Sequence, residues 1–308
     1  VSERPGRGPL RRILAWLLVA ATLGFVGWAI VSGWPRLAVH DWDIRPLRLA
    51  ASTAILVVVI AAAGLLWGRV LRSIEPTRVG PASMLRIWAH SNLVRYVPGK
   101  VWQFVAAAEL ARARGLPPAA MLVSLLVYMG FALLAAGVVA VAAGAIPSLP
   151  GGVLPAVVAG AAALALVHPA VIDAALRLIP RRAAEVRWRG GWAEGALLLA
   201  LCLAYWLANG AAFALFVDGL TGVPPGAWGT LVGANAAAYL VGYLAIVAPA
   251  GLGFREATLT ALLAGVLGNG VGDPGALALA GAVALASRLW VVLADLFSAA
   301  AVLALDRG

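Results

Sequence analysis

Charge is scarce in this chain. Of 308 residues only 12% are charged, and acidic residues number just 13 against 23 Lys+Arg. A soluble domain carries about twice that charged fraction, so a soluble fold with a solvated surface is excluded. Cysteine is nearly missing as well: the single Cys202 lies inside an apolar run, so no intrachain disulfide and no Cys/His ligand cluster can form. It reads as a small buried hydrophobe. His40, His90 and His168 are scattered, which argues against a metal site. No Walker A pattern occurs; "VPGKVW" lacks the upstream Gly and the Ser/Thr after Lys. ATP is therefore not expected as the chain's own energy source, no catalytic motif rises above background, and no cofactor is expected.

What is abundant is apolar sequence. Hydrophobic residues make up 63% of the chain, with a mean hydropathy of +0.96. Runs of about 20 apolar residues recur, the length at which a helix crosses a bilayer with its backbone satisfied. The short alternating segments of a β-barrel are not seen. The expected class is all-α: a polytopic membrane helical bundle forming one domain over 13–305, preceded by a basic segment at 1–12. Spans are expected near 13–34, 48–71, 118–143, 152–178 (interrupted at His168-Pro169), 193–217, 227–249 and 275–305, about 7–8 in all. The first run resembles a signal peptide but exceeds an h-region of about 7–15 residues, so it is expected to stay as a helix.

The net charge of +10 would suggest nucleic acid in a soluble protein. Here the cations crowd into a few loops, as the positive-inside rule expects. That rule puts the N-terminus, 69–89 and 177–190 in the cytoplasm, and the cation-poor loops 144–151 and 218–226 outside. Anionic headgroups would favour the same basic loops. The 12 Trp mostly fall near expected span ends, as interfacial belts do.

Two segments break the pattern. Residues 82–97 and 252–267 would each make a helix about 24 Å long, short of a hydrocarbon core of about 30 Å. Each adjoins a Pro/Gly break: Pro98-Gly99 in the first, Pro249, Gly251 and Gly253 in the second. Short, interrupted apolar segments in corresponding places of two halves point to a transporter site. The halves correspond loosely, in the manner of an internal repeat, and the segments at about 82–113 and 250–267 read as re-entrant or broken helices.

At the first break a new helix starts near Lys100. Its unpaired N–H groups and dipole favour an anion. Arg95 converges from one side, and Gln103 lies one turn on. At the second, Arg255 occupies the first turn, and Glu256 is either a helix-start acid or a counter-charge for a base elsewhere. Arg288 sits far from either end of the last apolar run, where a cation costs about 2.5 kcal/mol or more and takes a partner or a polar interior. Glu109, Glu256 and Asp295 are its candidate partners. Asn92, Asn235, Tyr96, Tyr239 and Tyr243 either line a cavity or bond neighbouring helices. "HDWD", with Asp41 and Asp43, is an acidic loop of the kind that would serve an enzyme on a polyprenyl-phosphate substrate, though a plain hydrophilic loop is the simpler reading.

"SNLVRYVPGKVWQFVAAAELARARG", then "APAGLGFREATLTALL", then "ASRLWVV" resemble the lysylphosphatidylglycerol synthase transmembrane region family of flippase-like membrane proteins, over about 11–305. The matching positions are Asn92, Arg95, Pro98, Gly99, Lys100, Arg112, Pro249, Gly251, Gly253, Arg255, Glu256 and Arg288. Ala250 departs from a usual Gly, and Phe254 from a smaller aliphatic. The resemblance implies translocation of a lipid with an anionic headgroup across a bacterial inner membrane, with membrane lipids as partners. An aminoacyl-transferase domain does not follow the spans here, so synthesis of the aminoacylated lipid is not expected. A membrane enzyme and an accessory subunit of an envelope-lipid enzyme are the competing readings; a homo-oligomer is compatible with all three.

Overall fold

A computed structural model describes residues 42–77, 79–94, 108–110, 112, 115–146, 151–177, 186–245, 251 and 253–304. The expected first span at 13–34, and Asp41, lie outside this set. The main helices of the described residues are α1 (Pro46–Arg72), α2 (Pro81–Val94), α3 (Pro118–Ala142), α4 (Val153–Leu166), α5 (Pro169–Arg177), α6 (Trp192–Thr221), α7 (Trp228–Leu244), α8 (Phe254–Leu267) and α9 (Pro274–Ala304). No strand occurs among the described residues. Proline opens α1, α2, α3, α5 and α9, where its fixed φ suits the first turn and its missing N–H costs nothing.

Four helices, α1, α3, α6 and α9, are long and apolar enough to cross a membrane. The α4–α5 pair, bent by 63° at the expected His168-Pro169 interruption, makes a fifth if it forms one span. The count among described residues is thus below the expected 7–8. Part of the difference is that α7 ends at Leu244, giving 17 residues where a span to 249 was expected. The outward faces are apolar: Ile55, Val58 and Leu65 on α1, Val157 and Val158 on α4, Leu201 and Leu207 on α6, and Leu293, Leu296 and Phe297 on α9 are all exposed. An apolar surface of this extent marks a membrane-facing bundle.

The interior holds two apolar clusters. One gathers Trp67, Met84, Trp88, Met121 and Trp206. The other gathers Phe213, Phe216, Leu259, Leu263 and Trp290. Five tryptophans, Trp67, Trp88, Trp188, Trp206 and Trp290, are core rather than interfacial, and Trp67 is fully buried. Trp67 stacks on Trp88, and Trp88 meets Tyr128 edge-on.

Helices α1 and α6 run side by side and are tied at both ends. At one end the buried Asp218 carboxylate accepts from Arg45 at 3.2 Å and from Arg48, while Asp43 pairs with Arg45. At the other, Arg69 forks onto Glu194 at 2.7 and 2.8 Å. Along each helix the two ties are about 36 Å apart at 1.5 Å per residue.

The described part of α2 and the whole of α8 are each 14 residues long, against 27 and 31 for α1 and α9. A Cβ on Gly68 would lie 3.1 Å from Met84, and one on Gly64 would lie 2.8 Å from Trp88. That antiparallel register brings Asn92 level with Ile60, at the middle of α1. On α9, Ala276 abuts Gly268, Gly281 faces Thr260, and Ser287 bonds Arg255. Helix α8 therefore begins opposite the middle of α9.

Candidate functional site

A cavity of about 260 Å³ opens beside Asn92 of α2 and the start of α8. Helix α2 supplies Trp88 and Asn92, α8 supplies Arg255, and α9 supplies Arg288 and Trp290. Helices α3, α6 and α7 close it with Tyr128, Tyr205, Trp206, Asn209, Asn235, Tyr239 and Tyr243. The wall joins both apolar clusters, so the cavity occupies the seam between them.

The break before α8 is built on two glycines. Gly251 has φ +68°, and a Cβ there would fall 2.5 Å from the Gly242 carbonyl oxygen; Gly253 has φ +84°. Only glycine meets both demands at position 251 without strain. A Cβ on Gly242 would in turn lie 2.8 Å from that of Arg255. The end of α7 and the start of α8 are thereby pressed together, which sets Arg255 beside the cavity.

Glu256 does both jobs weighed from the sequence. Its Oε2 accepts the Gly253 N–H at 2.9 Å, capping α8, and its Oε1 accepts from Arg288 at 2.5 Å. Arg255 lies 3.7 Å from the same oxygen and donates to Ser287 Oγ at 3.3 and 3.4 Å. The side chains of Arg255, Glu256 and Arg288 are each only 13% exposed. Arg288 stands about 21 Å from the start of α9 and about 24 Å from its end. A buried ion pair at such a depth is weak evidence for stability, since desolvation offsets most of its attraction. It is stronger evidence for a site.

Asn92, Gly251, Arg255 and Arg288 line the cavity; Gly253 and Glu256 stand immediately behind it. Arg112 does not join them: it is exposed and pairs with Glu109 at 3.1 Å along its own helix, which also takes Glu109 elsewhere than Arg288. Arg95, Pro98, Gly99, Lys100, Gln103, Tyr96 and Pro249 lie outside the described residues. Asp295 is buried in α9. Asp43 is engaged by Arg45. Cys202 is buried as expected.

Sequence reasoning did not single out Tyr205, Trp206, Asn209, Tyr128 or Trp290. The available signal was the spacing of Tyr205, Trp206 and Asn209, one turn on α6. Asn235 donates to Asn209 at 2.7 Å. Tyr205, Trp206, Tyr239 and Tyr243 form a chain of ring contacts with centroids 5.5, 4.7 and 5.9 Å apart. Compared with known proteins, the chain matches no family model, no curated protein and no solved structure.

Proposed function

We propose that the chain is a lipid flippase or transporter that carries an anionic phospholipid or polyprenyl-phosphate-linked lipid between leaflets. One observation carries the reading: Arg255, Glu256 and Arg288 are gathered beside a cavity at mid-height of α9, at the start of α8. Cations held at that depth suit a phosphate that must leave water while its acyl or prenyl chains stay in lipid. The resemblance to the lysylphosphatidylglycerol synthase transmembrane region family supports the same reading. In this reading α2 and α8 are the described parts of two re-entrant segments in a bundle of 7–8 spans. In this reading Arg95, Lys100 and Gln103 complete the first lip of the site, and the protein sits in a bacterial inner membrane with its N-terminus in the cytoplasm. The enzyme reading loses ground because Asp43 is occupied by Arg45 in the ion cluster that ties α1 to α6.

The test is translocation of a labelled phosphatidylglycerol in proteoliposomes. A charge-assisted hydrogen bond contributes about 1.5–3 kcal/mol, so loss of Arg288 is expected to slow translocation about ten- to a hundredfold. The Glu256→Gln/Arg288→Gln double variant removes both charges together and leaves neither orphaned. Wild-type rates in that variant, with an unchanged unfolding temperature, overturn the proposed site.

A further inference from the structure

The cavity is more elaborate than a phosphate requires. Its cations sit at one end, on α8 and α9. Two of its three amides, Asn209 and Asn235, sit on α6 and α7; the third, Asn92, is on α2. Gly242, against which Arg255 packs, is seven residues from Asn235, so the two ends are about 10 Å apart along one face of α7. Tyr239, one turn from Asn235, lies between them, and Trp206 meets its ring at 4.7 Å. A bare phosphate held by Arg288 would leave the amide end unfilled.

We infer that the cavity recognises a phosphate esterified to a hydroxylated six-membered ring, a hexose or cyclitol, as a lipid headgroup. The inference rests on the lipid-transport reading and names its headgroup class. The chemistry matches part by part. Guanidinium groups take the phosphate. The roughly 10 Å between the two ends, from the helical rise, exceeds what a phosphate alone would fill. Aromatic faces pack on the C–H faces of such a ring, while an amide offers both donors and an acceptor to neighbouring hydroxyls. The Asn235–Asn209 bond uses one of Asn235's two N–H donors and one lone pair of Asn209's oxygen. Both residues line the cavity. A purely structural amide pair between helices would need neither the cavity nor the aromatic chain beside it.

The test uses the whole chain in phosphatidylcholine nanodiscs, which avoids sugar-headed detergents. Binding of dioctanoyl phosphatidylinositol, dioctanoyl phosphatidic acid and chain-free inositol 1-phosphate is read by tryptophan fluorescence, since Trp88, Trp206 and Trp290 stand in the wall. A site built to bond hydroxyls rejects an analogue without them, so phosphatidylinositol is expected to bind about tenfold or more tightly than phosphatidic acid. In the Asn209→Ala/Asn235→Ala variant that preference should vanish, with phosphatidic acid binding unchanged. Equal binding of the two lipids to the wild-type chain overturns the ring inference and leaves the anionic-lipid reading standing. Binding of neither overturns both. Inositol 1-phosphate binding as tightly as phosphatidylinositol supports the ring inference and overturns the lipid source.

Discussion

At the scale of single residues, Glu256 decides most. One carboxylate caps α8 through the Gly253 N–H and balances Arg288. Glu256→Ala removes the cap and leaves two guanidinium groups 13% exposed facing one another's charge. Removing one partner of a buried pair costs about 3–5 kcal/mol, so this variant is expected to lose about 3 kcal/mol of stability in denaturant unfolding. The Glu256→Gln/Arg288→Gln variant is expected to recover most of it. Arg288 and Glu256 were both legible in the sequence, because a cation far from either end of an apolar run and an acid in a first helical turn are rare enough to notice. Their pairing was one of three options until the register of α8 against α9 was known. Asp218 and Glu194 were not legible at all: their partners lie 170 and 125 residues away, and no local pattern encodes such a contact.

At the scale of elements, prolines and glycines told most. Pro118, Pro169 and Pro274 set helix starts that agree with the expected boundaries to within a residue or two, and the His168-Pro169 interruption became the 63° bend. The shortness of α8 was likewise visible. What the sequence could not convey is the level at which α8 begins, since that depends on which long helix it packs against. Gly251→Ala should cost at least about 2 kcal/mol, because the new Cβ meets the Gly242 carbonyl in a left-handed backbone. Gly265→Ala, on the same segment but facing open space, should be neutral or stabilising by up to about 1 kcal/mol. Unfolding of the two variants in parallel checks the contrast. At the start of α9, Asp273 accepts N–H bonds from Ala276, Gly275 and Asn269 at 3.2, 2.9 and 3.5 Å, which hold its carboxyl below the usual carboxylate range. Its contribution is therefore full above the unfolded carboxylate range and disappears as pH falls through the lower folded value. In acid titrations of stability, Asp273→Ala should flatten that part of the curve.

At the scale of the whole molecule, the described helices keep apolar side chains on their outward faces as well as in the core, and the cavity gathers Asn and Arg at the seam of the two clusters. The cavity wall drew on residues from three helices that looked like ordinary apolar spans, which is why its aromatic lining escaped notice. Single cysteines at Ile44 and Pro76, both exposed and at opposite ends of α1, should react with a membrane-impermeant thiol reagent from opposite faces of sealed vesicles. Cys202 is buried and should stay silent in that assay. Labelling of both from one face would contradict α1 as a full crossing.

The two ion ties between α1 and α6 have a consequence for the surrounding lipid. They fix about 36 Å of apolar helix between two charged collars, slightly more than a hydrocarbon layer of about 30 Å. Two helices bolted at both ends cannot slide past one another to shorten that length. A thinner bilayer must be met by leaning the pair as one body, at a cost of a fraction of a kcal/mol for each ångström of mismatch. In the proposed transporter the tied pair would act as a gauge of membrane thickness. Its activity in reconstituted vesicles is expected to peak at one acyl-chain length and to fall on both sides, and severing one collar with Asp218→Asn should broaden that peak.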